Sequence, residues 1–334
     1  MKVGMAGLDT GLIVVLLLIL GAEFVNGWTD APNAIATTVS TRALSPTKAV
    51  IMASVLNLVG VFSGTAVAKT IAQGIVDPKA VDLTTVGGAM VGIILWSSLA
   101  AHWGIPTSES HALVAGLTGA GLATAGPAVL VWDGWKKVLL GLLFSSVLGF
   151  IGGRIMIGMV NRVFRDASPG KVRRLLQGLQ IFSSGFVAFS HGSNDGQKFM
   201  GAFALALFLG GVQTEFTIPS WVIYLCAAMM ALGTVTGGWR IIRTLGMRLT
   251  KLKTHQGFAA EMAAATTIEA ASRLGIPLST THTITVAIMG VGAARRLSAV
   301  RWGVTARIVA AWILTFPICG LISWTVVWVM RLFD

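Results

Sequence analysis

Seven stretches of this chain run for about 18 residues or more without an Asp, Glu, Lys or Arg, which is enough to cross the hydrocarbon layer as a helix. They are Ala49–Ala68, Leu83–Ser108, Ser110–Trp132, Leu175–Asn194, Phe216–Trp239, Leu274–Ala294 and Ile308–Met330. Shorter runs at Gly11–Ala22 and Val138–Gly153 fit spans with charged ends or broken helices. Only 11% of the residues are charged, against about 25% in a soluble domain. Forty glycines suit close helix packing in lipid. The expected class is an all-α polytopic membrane protein.

The net charge of +12 points to topology and not to nucleic acid, because the basic residues cluster in connections. Arg154, Arg162, Arg165, Lys171, Arg173 and Arg174 share one connection, Arg240, Arg243, Arg248, Lys251 and Lys253 another, and Arg295, Arg296 and Arg301 a third. Basic loops stay cytoplasmic. Cys226 and Cys319 lie in separate apolar runs and read as small buried thiols. Lys2 precedes an apolar stretch without a clear cleavage site, so the first span is expected to be retained.

Two motifs occur twice, in the same order. Phe24-Val-Asn-Gly-Trp-Thr-Asp30 matches Phe189-Ser-His-Gly-Ser-Asn-Asp195, 165 positions on. Gly104-Ile-Pro-Thr-Ser-Glu-Ser-His111 matches Gly275-Ile-Pro-Leu-Ser-Thr-Thr-His282, 171 positions on. Arg42 and Lys48 follow the first Asp motif, whereas beyond Lys198 no base follows the second until Arg240. After the first GIP motif the chain is neutral to Asp133, with Lys136 and Lys137 close behind; after the second come Arg295, Arg296 and Arg301. Equivalent points therefore fall on opposite faces, which is an inverted repeat with its sites where the repeats meet near the midplane. The expected organisation is a first transmembrane repeat over 1–160, a basic cytoplasmic linker over 161–177, and an inverted second repeat over 178–334.

Pro106 and Pro277 interrupt apolar runs and are followed by hydroxyls: Thr107, Ser108 and Ser110, then Ser279, Thr280 and Thr281. Proline disfavours helix at the preceding residue, and Ser or Thr caps a helix start. The pattern predicts a broken or re-entrant helix in each half, its N-terminus turned inward, where free N–H groups and the helix dipole bind an oxyanion. Hydroxyls that merely bridge a proline kink are the plainer alternative. Glu109 sits inside this motif; it either faces away, is protonated, or carries a proton, and an acid also suits a first helical turn.

A carboxylate at mid-span costs about 2.5–3.5 kcal/mol and is normally kept for function. Asp30 and Asp195 have oxygen donors beside them, Asn26, Thr29 and Asn33 in one copy and Asn194 and Gln197 in the other. They suit a small cation or a proton; a buried structural Asp is the alternative. The glycines of Phe189–Lys198 would let the helix break there. His111 and His282 occupy equivalent places and either shuttle protons or pack, while His102, His191 and His255 show no spacing that suggests a metal.

NGWTDAPNAIATTVSTRAL, FSHGSNDGQK, GIPTSESHAL and GIPLSTTHT resemble, in order, the two signatures and two hairpin motifs of the inorganic phosphate transporter (PiT) family, in its bacterial low-affinity form. The resemblance runs from about Ala22 to the end. It implies uptake of inorganic phosphate, free or as a metal complex, by cation symport across the plasma (inner) membrane, with H+ or Na+ as the coupling ion. No other cofactor is implied, and a homodimer is compatible with it. Phosphate contacts would fall on Thr107, Ser108, Ser110, Ser279, Thr280 and Thr281, and coupling contacts on Asp30, Asn33, Asn194 and Asp195. Asp30, Asn33 and Asp195 would be metal ligands only if the ion is sodium. Sodium-coupled members carry Asn three places after both acids. Here that residue is Asn33 in one copy but Lys198 in the other, and an internal ammonium favours proton coupling or a single sodium. Lys198 could equally pair with Asp195 without deciding the ion. A sulfate permease on the same scaffold is the competing reading. No P-loop, HExxH or carboxylate cluster appears, so no enzyme is expected.

Overall fold

The computed structural model describes residues 9–166 and 169–333, apart from the side chains of 169–173. Of the expectations above, Lys2 and the side chains of Lys171 and Arg173 lie outside that description. The described chain is all helix apart from one isolated bridge between Val76 and Leu130. The first half holds α1 (Thr10–Thr29), α2 (Pro32–Ser40), α3 (Pro46–Val61), α4 (Ala66–Gly74), α5 (Leu83–Trp103), α6 (Glu109–Ala125) and α7 (Trp132–Val163). The second holds α8 (Pro169–His191), α9 (Gln197–Leu209), α10 (Ser220–Thr236), α11 (Trp239–Arg243), α12 (Thr254–Arg273), α13 (Thr280–Arg295) and α14 (Trp302–Met330). Much of the 161–177 connection is thus helical, since α7 continues to Val163 and α8 begins at Pro169.

Uncharged runs and spans are not the same set. Among the described residues, Thr10–Ser40, Leu83–Trp103, Trp132–Val163 and Trp302–Met330 are long and apolar enough to cross a membrane. Two bent pairs, Pro46–Val61 with Ala66–Gly74 (72°) and Ser220–Thr236 with Trp239–Leu249 (61°), bring the number to as many as six. The runs Ser110–Trp132 and Leu274–Ala294 instead supply α6 and α13, which are buried along almost their whole length inside the protein. An apolar run cannot distinguish a lipid-facing helix from one wrapped in protein.

α5 with α6, and α12 with α13, form the two hairpins, each turning at a glycine with φ +67°, Gly104 and Gly275. That left-handed backbone is where glycine is favoured. Irregular backbone at membrane depth must be satisfied within the protein. Thr244 Oγ donates to Gly104 O at 2.8 Å and Trp312 Nε1 to Pro106 O at 3.1 Å. Thr70 Oγ donates to Gly275 O at 2.8 Å.

The two halves interlock by mirrored crossings. α1 packs on α10, and α3 packs on α8. A Cβ on Gly60 would lie 2.0 Å from Phe189 O, and one on Gly233 would lie 2.0 Å from Phe24 O. α6 against α14 mirrors α13 against α7, with Gly119 on Gly320 O and Gly290 on Phe150 O. Without a hydrophobic drive between helices in lipid, such close approach supplies the packing. Gly60→Ala and Gly233→Ala are each expected to cost about 1–3 kcal/mol by overpacking. Gly158→Ala, where a Cβ would meet nothing within 4 Å, should be neutral or slightly stabilising. Thermal unfolding in detergent reads this, and equal midpoints for all three would sink it.

Candidate functional site

α6 and α13 begin side by side in the interior. Ser108 caps α6 by accepting from His111 N (3.4 Å), and Ser279 caps α13 by accepting from His282 N (3.1 Å). The His111 and His282 rings meet edge-on at 4.5 Å, and His282 stacks on Trp312 at 3.5 Å. These histidines hold the two helix starts together by packing.

The acids come from the other motif pair, and the chain handles the two copies differently. α1 ends at Thr29, and α2 restarts at Pro32, so Asp30 lies at a break. The expected break in Phe189–Lys198 is instead a π turn, Gly192–Gly196, joining α8 to α9 without interruption. Such turns insert one residue into a helix and recur at functional sites. The glycines here serve close packing: a Cβ on Gly192 would lie 2.1 Å from Asn57 O, and one on Gly196 would lie 2.5 Å from Val61 Cγ2.

Two triads cross the repeats. Asn33 Nδ2 donates to Asp30 Oδ1 at 2.7 Å and to Thr281 Oγ at 2.8 Å, and Thr281 Oγ donates to Asp30 Oδ1. Lys198 Nζ donates to Asp195 Oδ1 at 2.6 Å and to Ser110 Oγ at 2.5 Å, and also to Leu278 O at 3.0 Å. The sequence offsets make Ser110 the mirror of Thr281 and Lys198 the mirror of Asn33. Thr280 Oγ adds a 3.3 Å bond to Asp195 Oδ2. All of these side chains are buried.

Of the six expected hydroxyls, Thr280 and Thr281 therefore bond the acids directly and Ser110 meets Asp195 only through Lys198, while Ser108 and Ser279 serve as caps. Thr107 is buried beside them. Asn194 points its amide at Ser272 Oγ (2.9 Å) and Ile276 O (3.3 Å), steadying the second hairpin. Glu109 accepts from Thr29 Oγ at 2.9 Å, a cross-link to α1.

Sequence reasoning missed three residues. His191 Nε2 stands 3.7 Å from Asp195 Oδ2, and its Nδ1 lies 3.1 Å from Asn57 Oδ1. One ligand atom each from Asp30, His191 and Asp195 falls within 4.8 Å of the others, so the expectation that His191 has no such partner is corrected. Its place four residues before Asp195 was the available signal. Glu23 is fully buried in α1, accepting from Asn26 Nδ2 at 3.1 Å.

Glu261 of α12 is the third, signalled only by being an acid in an alanine-rich helix whose one other acid is Glu269. It accepts from Thr38 Oγ at 2.7 Å, Gln180 Nε2 at 3.4 Å, Thr37 Oγ and Ser183 Oγ, tying α2 to α8 and α12. Interhelical hydrogen bonds in membranes average about 0.6 kcal/mol. Glu261→Leu should therefore cost about 2 kcal/mol over four bonds. Glu261→Gln should cost less, because the hydroxyls can turn to match an amide. Thermal midpoints test the order, and a Leu variant as stable as the Gln variant would overturn it.

Asp30 Oδ2, Asn33 Oδ1 and Asn194 Oδ1 are buried and have no hydrogen-bond partner among the described residues. Buried polar atoms are nearly always paired, so these hard oxygens fit a small cation or a proton as cargo. Asp195 Oδ1, by contrast, is engaged by an ammonium already in the chain.

The model of the phosphate transporter family matches the chain twice, over residues 26–169 and 164–323. A Rhizobium meliloti (strain 1021) protein described as a "Probable low-affinity inorganic phosphate transporter" is 46% identical over 315 residues, covering 94% of this chain and 93% of that protein. One of the same description from Bacillus subtilis (strain 168) is 38% identical over 317 residues, covering 93% and 95%. A solved structure described as "The sodium-dependent phosphate transporter" superposes with a TM-score of 0.91 at 27% identity, covering 98% of this chain and 100% of that one. Two matched copies, two mirrored hairpins and relatives aligned over nearly their full length agree: the chain is a multi-pass membrane protein that belongs to the phosphate transporter family.

Proposed function

We propose that the protein imports inorganic phosphate across the plasma membrane by symport with a cation, the proton being favoured, through alternating access of its two repeats. The observation that carries this is the pair of cross-repeat triads. Each ties an acid motif of one half to a hairpin hydroxyl of the other. A change in occupancy at Asp30 is then felt directly at Thr281, in the first turn of α13. Two capped helix starts supply free N–H donors for a tetrahedral oxyanion, and Ser110, Thr280 and Thr281 are close enough to trade hydrogen bonds between acid and anion.

Cation coupling follows from charge. Bringing phosphate to a site that already holds Asp30, Asp195 and Glu109 stacks negative charge in a medium that screens it poorly. A proton or sodium entering at Asp30 reduces that repulsion. Lys198 is the counter-charge paired with Asp195, which leaves Asp30, and beside it Glu109, as the carboxylates open to a mobile cation. A solved relative is described as sodium-dependent, which supports cation coupling; Lys198 is the reason the proton is favoured here.

Uptake of labelled phosphate into proteoliposomes with a pH gradient and no sodium is expected to proceed. Absence of uptake there, restored by sodium, would reverse the assignment of the ion. Excess sulfate should compete weakly, because phosphate near neutral pH donates a hydrogen bond to a carboxylate and sulfate cannot; equal competition would favour a sulfate permease.

A further inference from the structure

The tip of the first hairpin opens on a cavity that the central site does not use. It measures about 490 Å³ and is lined by Trp103, Gly104, Trp239, Arg240, Arg243 and Arg248, among others. A second cavity of about 190 Å³ shares Trp103, Gly104, Thr244 and Arg248 with it. This one follows the backbone of Ile105 and Pro106 and adds Arg307. The pair thus forms an arginine-walled recess ending one residue short of Thr107.

Inverted symmetry gives an internal comparison. Thr244 holds Gly104 O as Thr70 holds Gly275 O, so position 244 mirrors position 70. A Cβ on Gly104 would meet Arg240, whereas one on Gly275 would meet Ala66. By the same register Arg243 faces Lys69 in the mirror, and Arg248 faces Gly74. The threonine recurs at both tips and a base recurs at 69 and 243, but Arg240 and Arg248 have no basic counterpart at the second tip. Arg240 Nη1 donates to His102 O, and among the described residues no acidic side chain pairs with Arg240, Arg243 or Arg248.

Arginine forks match phosphate oxygens two at a time. Trp103 and Trp239 are 58% and 50% exposed, as suits rings at the membrane–water boundary. We propose that this recess is a second phosphate-oxyanion site, distinct from the central hydroxyls, with Arg243 and Arg248 as its principal ligands. Free inorganic phosphate and the headgroup of an anionic phospholipid both supply that chemistry.

Two arms separate the sources. In the first, inorganic phosphate is titrated into delipidated protein in detergent and tryptophan emission is followed. A Trp103→Phe/Trp239→Phe variant assigns the signal to the recess, and a Ser110→Ala/Thr281→Ala variant should keep it. In the second, phosphatidylglycerol retained by the purified protein is counted by native mass spectrometry. The expected result is a response in at least one arm that weakens at least tenfold in Arg243→Gln/Arg248→Gln. Single Arg243→Gln, which keeps Arg240, Arg248 and Arg307, serves if the double variant misfolds and should weaken the response severalfold. A phosphate response identifies free anion, and lipid retention identifies a headgroup. Wild-type protein silent in both arms, or arginine variants indistinguishable from it, would overturn the proposal, and neither result bears on transport at the central site.

Discussion

Lys198→Met is expected to abolish phosphate uptake and to lower stability by about 3–5 kcal/mol, the usual consequence of leaving one member of a buried ion pair alone. Lys198 and Asp195 are both fully buried, 2.6 Å apart. Once the ammonium is gone, Asp195 keeps, among the described residues, only the 3.3 Å bond from Thr280 as a hydrogen bond. The companion Asp195→Asn/Lys198→Met variant removes both charges and should recover most of the stability but none of the uptake. Thermal unfolding and uptake, measured on the same preparations, separate the two effects. A single Met variant as stable as the parent would show that the pair contributes nothing by its charge. Lys198→Asn goes further, since it copies Asn33 and makes the second triad resemble the first. Uptake by that variant should rise on adding sodium, and indifference to sodium would count against Lys198 as the reason for proton use.

Asp30→Asn should reduce cation-driven uptake by about a hundredfold or more while leaving the fold intact. Such a loss corresponds to about 2.7 kcal/mol, within reach of a carboxylate whose charge is the coupling element. The neutral amide can still accept from Thr281 and Asn33, so the first triad keeps its hydrogen bonds and loses only its charge. Size-exclusion profile and thermal midpoint should match the parent within about 1 kcal/mol, the scale of a single intramolecular hydrogen bond. Phosphate uptake driven by a pH gradient is the decisive reading. If Asp30→Asn still concentrates phosphate against its gradient, the coupling ion does not act through Asp30.

The triads were half legible in the sequence. Acids at 30 and 195 and hydroxyls at 110, 280 and 281 stood out because each motif was repeated with its spacing kept. Which hydroxyl meets which acid was not legible, since Asn33 and Thr281 are 248 residues apart and join only when the halves dock. Ser108 and Ser279 serve as caps, a role the proline–hydroxyl pattern also implied, since a cap and a ligand call for the same residue type. Glu261 escaped notice for the opposite reason, as it sits in no repeat, and His191 because the first copy of its motif carries Asn26 at the equivalent position. The hairpin limbs α6 and α13 read as spans because hydropathy reports what a helix avoids, water, and not whether lipid or protein replaces it. The π turn at Gly192–Gly196 was hidden too: glycines that suggest a break serve equally to let α3 approach.

The mirrored crossings Gly60–Phe189 and Gly233–Phe24 also bear on how such a chain is made. Each glycine notch in one half is filled only by a helix of the other. The first half therefore leaves the insertion machinery with its notch at Gly60 unfilled and the groove beside Phe24 uncovered. It must wait in the bilayer until α8 and α10 arrive. The molecule behaves as two interlocked partners supplied on one ribbon, and the ribbon between α7 and α8 acts as the tether that keeps each partner within reach of the other.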